Sequence, residues 1–161
     1  MHATIVYFSS TGRNEQMAKA VERELAGDGY ETKLISLKPK KTIGATMGSL
    51  MAMFGRTVEL VGDITVPEGD MLVLVSPTWA GYICPPMLTF LKQLPDLGGR
   101  KVINLVCSFN PHPNVEHQID KMVKAHKSGP IVSRAIRLKD IDNPEKTAAK
   151  AKEIVDLALS K

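Results

Sequence analysis

Met71 to Val75 reads MLVLV, five apolar residues with no polar break. A strand that faces water on one side alternates. An unbroken run marks a strand buried on both faces, as in a parallel sheet covered by helices. Lys101 to Cys107 (KVINLVC), apolar after Lys101 but for Asn104, reads as another buried strand, and Ala3 to Phe8 (ATIVYF) is β-branched and aromatic in the same sense. Between these runs the spacing turns helical. Met17, Ala20, Val21 and Leu25 share one face, as do Met87, Phe90, Leu91 and Leu94. So do Val115, Ile119, Met122 and Val123 within 114–127, and Ala151, Ile154, Val155 and Ala158 after Asn143-Pro144-Glu145. Tyr30 to Leu37 alternates and reads as an edge strand, and Pro130 to Leu138 supplies a fifth. The order β-α-β-(insert)-β-α-β-α-β-α predicts a three-layer α/β fold. Right-handed crossovers then favour a five-stranded parallel sheet of order 2-1-3-4-5 with helices on both faces.

A chain of 161 residues suits one domain, 1–161, with residues 38–62 as an insert between the second and third strands. No apolar run approaches membrane-spanning length, and the N-terminus enters a strand without a signal-like segment. The expectation is a cytoplasmic protein with no membrane partner. Cys84 and Cys107 form no C-x-x-C and suggest no metal; a disulfide between them is open in principle, but a cytoplasmic chain of this size does not need one. The net charge of +4 comes with 5% aromatics and no nucleic-acid motif, so the reading is a mild attraction to anions, with no nucleic-acid partner.

The insert holds Lys38, Lys40 and Lys41, then Ile43, Met47, Leu50, Met51 and Phe54 at the spacing of a short amphipathic helix loosened by glycines. It reads first as a cover on one face of the sheet. A Met-rich lid and a homodimer contact are the alternatives.

In such sheets, ligands sit beyond the carboxyl ends of the strands, where the winding reverses between strands one and three. Three loops fall there: 9–14, 76–82 and 108–113. In the first, Ser9, Ser10, Thr11, Gly12, Arg13 and Asn14 stand where a strand turns directly into a helix. Unpaired N–H groups, the helix dipole and three hydroxyls make this an anion site suited to phosphate. Plain helix capping is the competing account. There is no G-x-x-x-x-G-K-[ST] for a triphosphate and no G-x-G-x-x-G for a dinucleotide, which leaves one terminal phosphomonoester. The second loop brings Pro77, Thr78, Trp79, Ala80 and Gly81, including the only tryptophan, and the third brings Ser108, Phe109 and Asn110. A phosphate at one end and an aromatic wall at the other suit a flat ring with a phosphorylated tail, and FMN is the candidate cofactor.

At these residues the chain resembles the flavodoxin family. Ile5 to Asn14 is similar to its T/S-x-T-G-x-T phosphate loop. Ser76 to Gly81, with Pro85-Pro86 and Phe90-Leu91 following, is similar to the P-x-W-x-G flavin loop of short-chain flavodoxin-like proteins. The resemblance covers nearly the whole chain outside 39–62. It implies a flavodoxin-like fold, noncovalent FMN, phosphate contacts from Ser9 to Asn14 and isoalloxazine contacts from Thr78 to Gly81. Ser108 to Asn110 match by position only. Asn14 stands where the pattern has Thr or Ser, with an amide that can also donate. A basic chain departs from the strongly acidic electron carriers, whose charge disfavours the anionic reduced flavin.

Three functions compete on this basis. The first is electron transfer by bound FMN, with a redox partner protein. The second is an NAD(P)H-dependent reductase of quinones or another small-molecule acceptor. The third is a cofactor-free binding module. No catalytic side chain is expected, since the flavin carries the chemistry. A metal is not expected either: His117 and His126 are nine apart, on opposite helix faces, and with His112 read as surface histidines. Cys84, beside the second loop, reads as a small buried hydrophobe.

Overall fold

Neighbouring residues of one apolar run go to opposite cores. The computed structural model describes residues 1–110 and 113–161. In chain order it forms β1 (His2–Tyr7), α1 (Arg13–Gly27), β2 (Glu31–Ser36), β3 (Lys38–Pro39), α2 (Ala45–Met53), β4 (Leu60–Val61) and β5 (Met71–Trp79). There follow β6 (Tyr82–Ile83), α3 (Pro85–Lys92), β7 (Lys101–Ser108), α4 (Pro113–Ala125), β8 (Ile131–Arg137), α5 (Leu138–Ile141) and α6 (Pro144–Leu159). Met71, Val73 and Val75 of β5 face one way, beside Ile5 and Leu105, and meet Met17, Val21 and Leu25 of α1 and Ile154 and Val155 of α6. Leu72 and Leu74 face the other way, with Val6, Val102 and Val106, against Met87, Phe90 and Leu91 of α3 and Val115, Ile119 and Val123 of α4. The two-residue period of a strand thus turns one continuous run into two apolar faces, each needing its own layer of helices.

The strand order is β2-β1-β5-β7-β8, all parallel, with β6 paired antiparallel to the end of β5. Counting only the five long strands, this is the expected 2-1-3-4-5. The winding reverses between β1 and β5. Their carboxyl ends, and that of β7, open on one side of the sheet.

Two details of the sheet depart from the sequence reading. The second loop is shorter than expected, because β5 runs on to Trp79 and turns back through Ala80-Gly81 into β6. One turn of helix, α5, also intervenes between β8 and α6. The closing N-cap is as read: the Asn143 side chain accepts from the Lys146 N–H at 3.1 Å.

The insert is where the reading fails in a physical sense. A short helix is present, but its buried residues are Gly48 and Ala52, while Met47, Leu50, Met53 and Phe54 are exposed. The apolar stripe points out, because the small residues are those that let the helix backbone close on the β5–β6 hairpin. The insert is tied at its base by the β3–β4 clip and by Thr89 of α3, whose Oγ1 accepts from the Val58 N–H at 2.9 Å. These ties fit a fixed cover better than a loose lid. No helix among the described residues is long and apolar enough to cross a membrane.

Candidate functional site

A cavity of about 460 Å³ lies at the carboxyl ends of β1, β5 and β7, within the size range of small-ligand sites. It draws on all three predicted loops. One end of it is the turn into α1. The helix starts at Arg13, so the N–H groups of Arg13, Asn14 and Glu15 have no intrahelical carbonyl to meet, and the first internal bond runs from Gln16 to Gly12. The turn is closed by Ser9, whose Oγ accepts from the Gly12 N–H at 3.0 Å. Gly12 sits at φ +88°, a left-handed conformation that glycine adopts without strain. Ser9 is therefore the residue that shapes the turn, while Ser10, Thr11, Arg13 and Asn14 line the cavity.

Two of the predicted phosphate contacts are otherwise engaged. The Arg13 guanidinium is paired with Asp142, Nε to Oδ1 at 2.7 Å and Nη2 to Oδ2 at 3.2 Å. That hydrogen bond holds the Asp142 carboxyl below its usual pKa and raises Arg13. The positive charge stays at the cavity edge but is aimed at a carboxylate. Asn14, 4% exposed, spends its amide on the Phe8 carbonyl at 3.0 Å, and its Oδ1 has no hydrogen-bond partner. One of the two Asn14 amide N–H groups thus locks the end of β1 to α1, and the side chain leaves a buried acceptor at the cavity.

The second wall is the β5–β6 hairpin. Pro77, Thr78, Trp79, Ala80 and Gly81 all line the cavity. Ala80 and Gly81 have φ of +51° and +79°, two successive left-handed residues, as a tight hairpin turn demands. The Trp79 ring meets Phe8 edge-to-face, centroids 5.6 Å apart at 77°, and Gly48 of α2 packs directly against it. Trp79 is half-buried and held in place from outside the cavity.

The third wall is the end of β7. Ser108, Phe109 and Asn110 reach the cavity, Ser108 donating its hydroxyl to the Asn110 carbonyl. Phe109 is 77% exposed, so it stands at the rim and is no packed wall. Pro111 and His112 lie outside the described residues. The sequence reading missed two lining residues, Cys107 and Leu138. Cys107 is fully buried and its thiol is pushed up to about 12 by desolvation, so it is a neutral floor. Its signal was register: it pairs with Pro77 across β5 and β7, at the height of the second loop. Leu138 follows the last strand, where sequence carried no cue. Cys84 is buried and neutral as expected, beside Ser76. Among the described residues no cluster of His, Cys, Asp or Glu could hold a metal.

No known family model matches the chain, and no curated protein matches it. Solved structures do. A short-chain flavodoxin associated with a PDU bacterial microcompartment is 21% identical, with a TM-score of 0.62 over 98% of this chain and 99% of that one. A flavoprotein in complex with FMN from Lactobacillus acidophilus NCFM is 19% identical, with a TM-score of 0.62 over 88% and 96%. An NADH:FMN oxidoreductase in apo form is 14% identical, with a TM-score of 0.66 over 99% and 90%. The chain has the flavodoxin-like fold.

Proposed function

We propose that this protein binds FMN at the carboxyl ends of β1, β5 and β7 and works as an electron carrier. The observation that carries the reading is the cavity itself: an anion-accepting helix start at one end and a braced tryptophan on a tight hairpin at the other. The residues fit the cofactor. The N–H groups at the start of α1, with the Ser10 and Thr11 hydroxyls, would hold the phosphate. The unpartnered Asn14 Oδ1 is an acceptor and suits a ribityl hydroxyl, not a phosphate oxygen. Trp79 and the Ala80-Gly81 turn would line the ring. When bound, flavin supplies the redox chemistry, and the chain supplies position and electrostatics. Similarity in fold to FMN-binding proteins supports the same reading.

The test is titration of the purified protein with FMN and with riboflavin. FMN should be retained with quenched fluorescence, and riboflavin, lacking the phosphate, should bind at least about tenfold more weakly. A protein that stays colourless at high FMN would sink the reading and leave a flavodoxin-like binding module.

A second reading, an FMN-dependent reductase of quinones or other small acceptors, draws on the likeness in fold to the NADH:FMN oxidoreductase. Its test is NADPH turnover with a quinone by the FMN-loaded protein. No turnover sinks it.

A further inference from the structure

We infer that the outward face of α2 docks an acidic electron-transfer protein; this rests on the FMN reading above. Met47, Leu50, Met53 and Phe54 are among the few large apolar side chains left exposed, and they lie along one short helix and its end. Met47, Leu50 and Phe54 follow i, i+3, i+7 spacing, the pattern of a helix that offers one apolar face to a partner. The inward face is already used, since Gly48 and Ala52 are buried against the hairpin. The stripe thus has no partner within the described residues.

Charge narrows what could cover it. Residues 38–62 hold three lysines and one arginine against one glutamate, a net +3 within a chain of net +4. Lys40 is paired with Glu59 at 2.9 Å; Lys38, Lys41 and Arg56, on the same insert as the stripe, are exposed. A second copy meeting through the same face would set +3 against +3, which a twofold contact cannot avoid. An acidic partner is complementary instead. The helix has nine residues, about 14 Å long at 1.5 Å per residue, the scale of a small transient contact steered by charge. Its place adds the reason for a redox partner over a lipid surface. α2 rests on Trp79, which lines the cavity, so a protein seated on α2 stands one helix thickness from the flavin site.

The probe is a plant-type [2Fe–2S] ferredoxin, an acidic electron carrier, with basic cytochrome c as comparator. Two measurements are made: binding of oxidised ferredoxin to the protein without FMN, and stopped-flow transfer of one electron from the reduced cluster to bound FMN. Both should weaken about tenfold or more between roughly 10 mM and 300 mM salt. Lys41→Glu/Arg56→Glu and Leu50→Ser should each weaken binding at low salt while FMN affinity is unchanged. Equal binding by wild type and variants, or tighter binding of cytochrome c, overturns the inference. So does uptake of wild type, but not Leu50→Ser, by phosphatidylglycerol vesicles with no ferredoxin binding. If FMN does not bind, the functional reading fails on its own, and the ferredoxin titration still decides the docking face.

Discussion

Gly48 leaves no room for a methyl group against the Trp79 indole: a Cβ at that position would overlap the six-membered ring, while Phe8 braces the same ring edge-to-face at 5.6 Å. The orientation of the one tryptophan is therefore set by a glycine 31 positions earlier, on an element outside the sheet. Gly48→Ala should overpack this contact at about 1–3 kcal/mol, read from urea melts. It should also shift indole emission and near-ultraviolet circular dichroism before any FMN is added, and weaken FMN binding. Adding Trp79→Phe, which lacks the second ring, should recover the stability. Unchanged tryptophan spectra in Gly48→Ala would disprove the contact.

Ala80 carries φ +51°, where its Cβ is strained and glycine is not. Ala80→Gly should stabilise the protein by about 1 kcal/mol, or roughly 2–4 °C in melting temperature. Ala80→Val should move the other way. If Ala80→Gly lowers the melting point, the turn is not left-handed in solution.

The layers were legible in sequence because parallel strands buried on both faces cannot hide: MLVLV and KVINLVC admit few other roles. The strand-to-helix turn was legible for a similar reason, since hydroxyls and a glycine at such a junction mark either an anion site or a helix cap. What stayed hidden was partnership at distance. Arg13 reads as a phosphate contact until Asp142 is seen to hold it, 129 residues away. Asn14 reads as a loop donor, and nothing in the sequence shows that one of its N–H groups goes to the Phe8 carbonyl. In the insert, periodicity correctly marked a helix but could not say which face is buried. Apolar side chains are the usual guide, and here the buried positions are Gly48, packed directly on Trp79, and Ala52 one turn later.

The Arg13–Asp142 pair occupies the one cation that lines the cavity among the described residues. Asp142→Asn should free the guanidinium for a phosphate, tightening FMN about two- to tenfold and steepening the salt dependence of binding. Riboflavin affinity should not change. Because the pair is largely exposed, thermal stability should move little. An equal gain for riboflavin and FMN would show that Arg13 does not act on the phosphate.

Burial holds both thiols protonated in the native protein, Cys84 up to about 11 and Cys107 up to about 12, against an ordinary 9.0. At pH 8, Ellman's reagent should therefore leave both untouched in native protein and react with two thiols after denaturation. The same shifts fix a pH dependence. Where the folded pKa lies above the unfolded one, the folded state binds more protons between the two values, so stability falls as pH rises through that interval. The contribution is complete below pH 9.0 and is lost as pH climbs from 9 towards 12. Cys84→Ala/Cys107→Ala should flatten this alkaline limb in melts taken from pH 8 to roughly 11, with a lower plateau from the lost packing. A double variant with the same alkaline slope as wild type would assign that slope to other groups. Modification of native Cys107 at pH 8 would mean that the floor of the cavity opens to solvent.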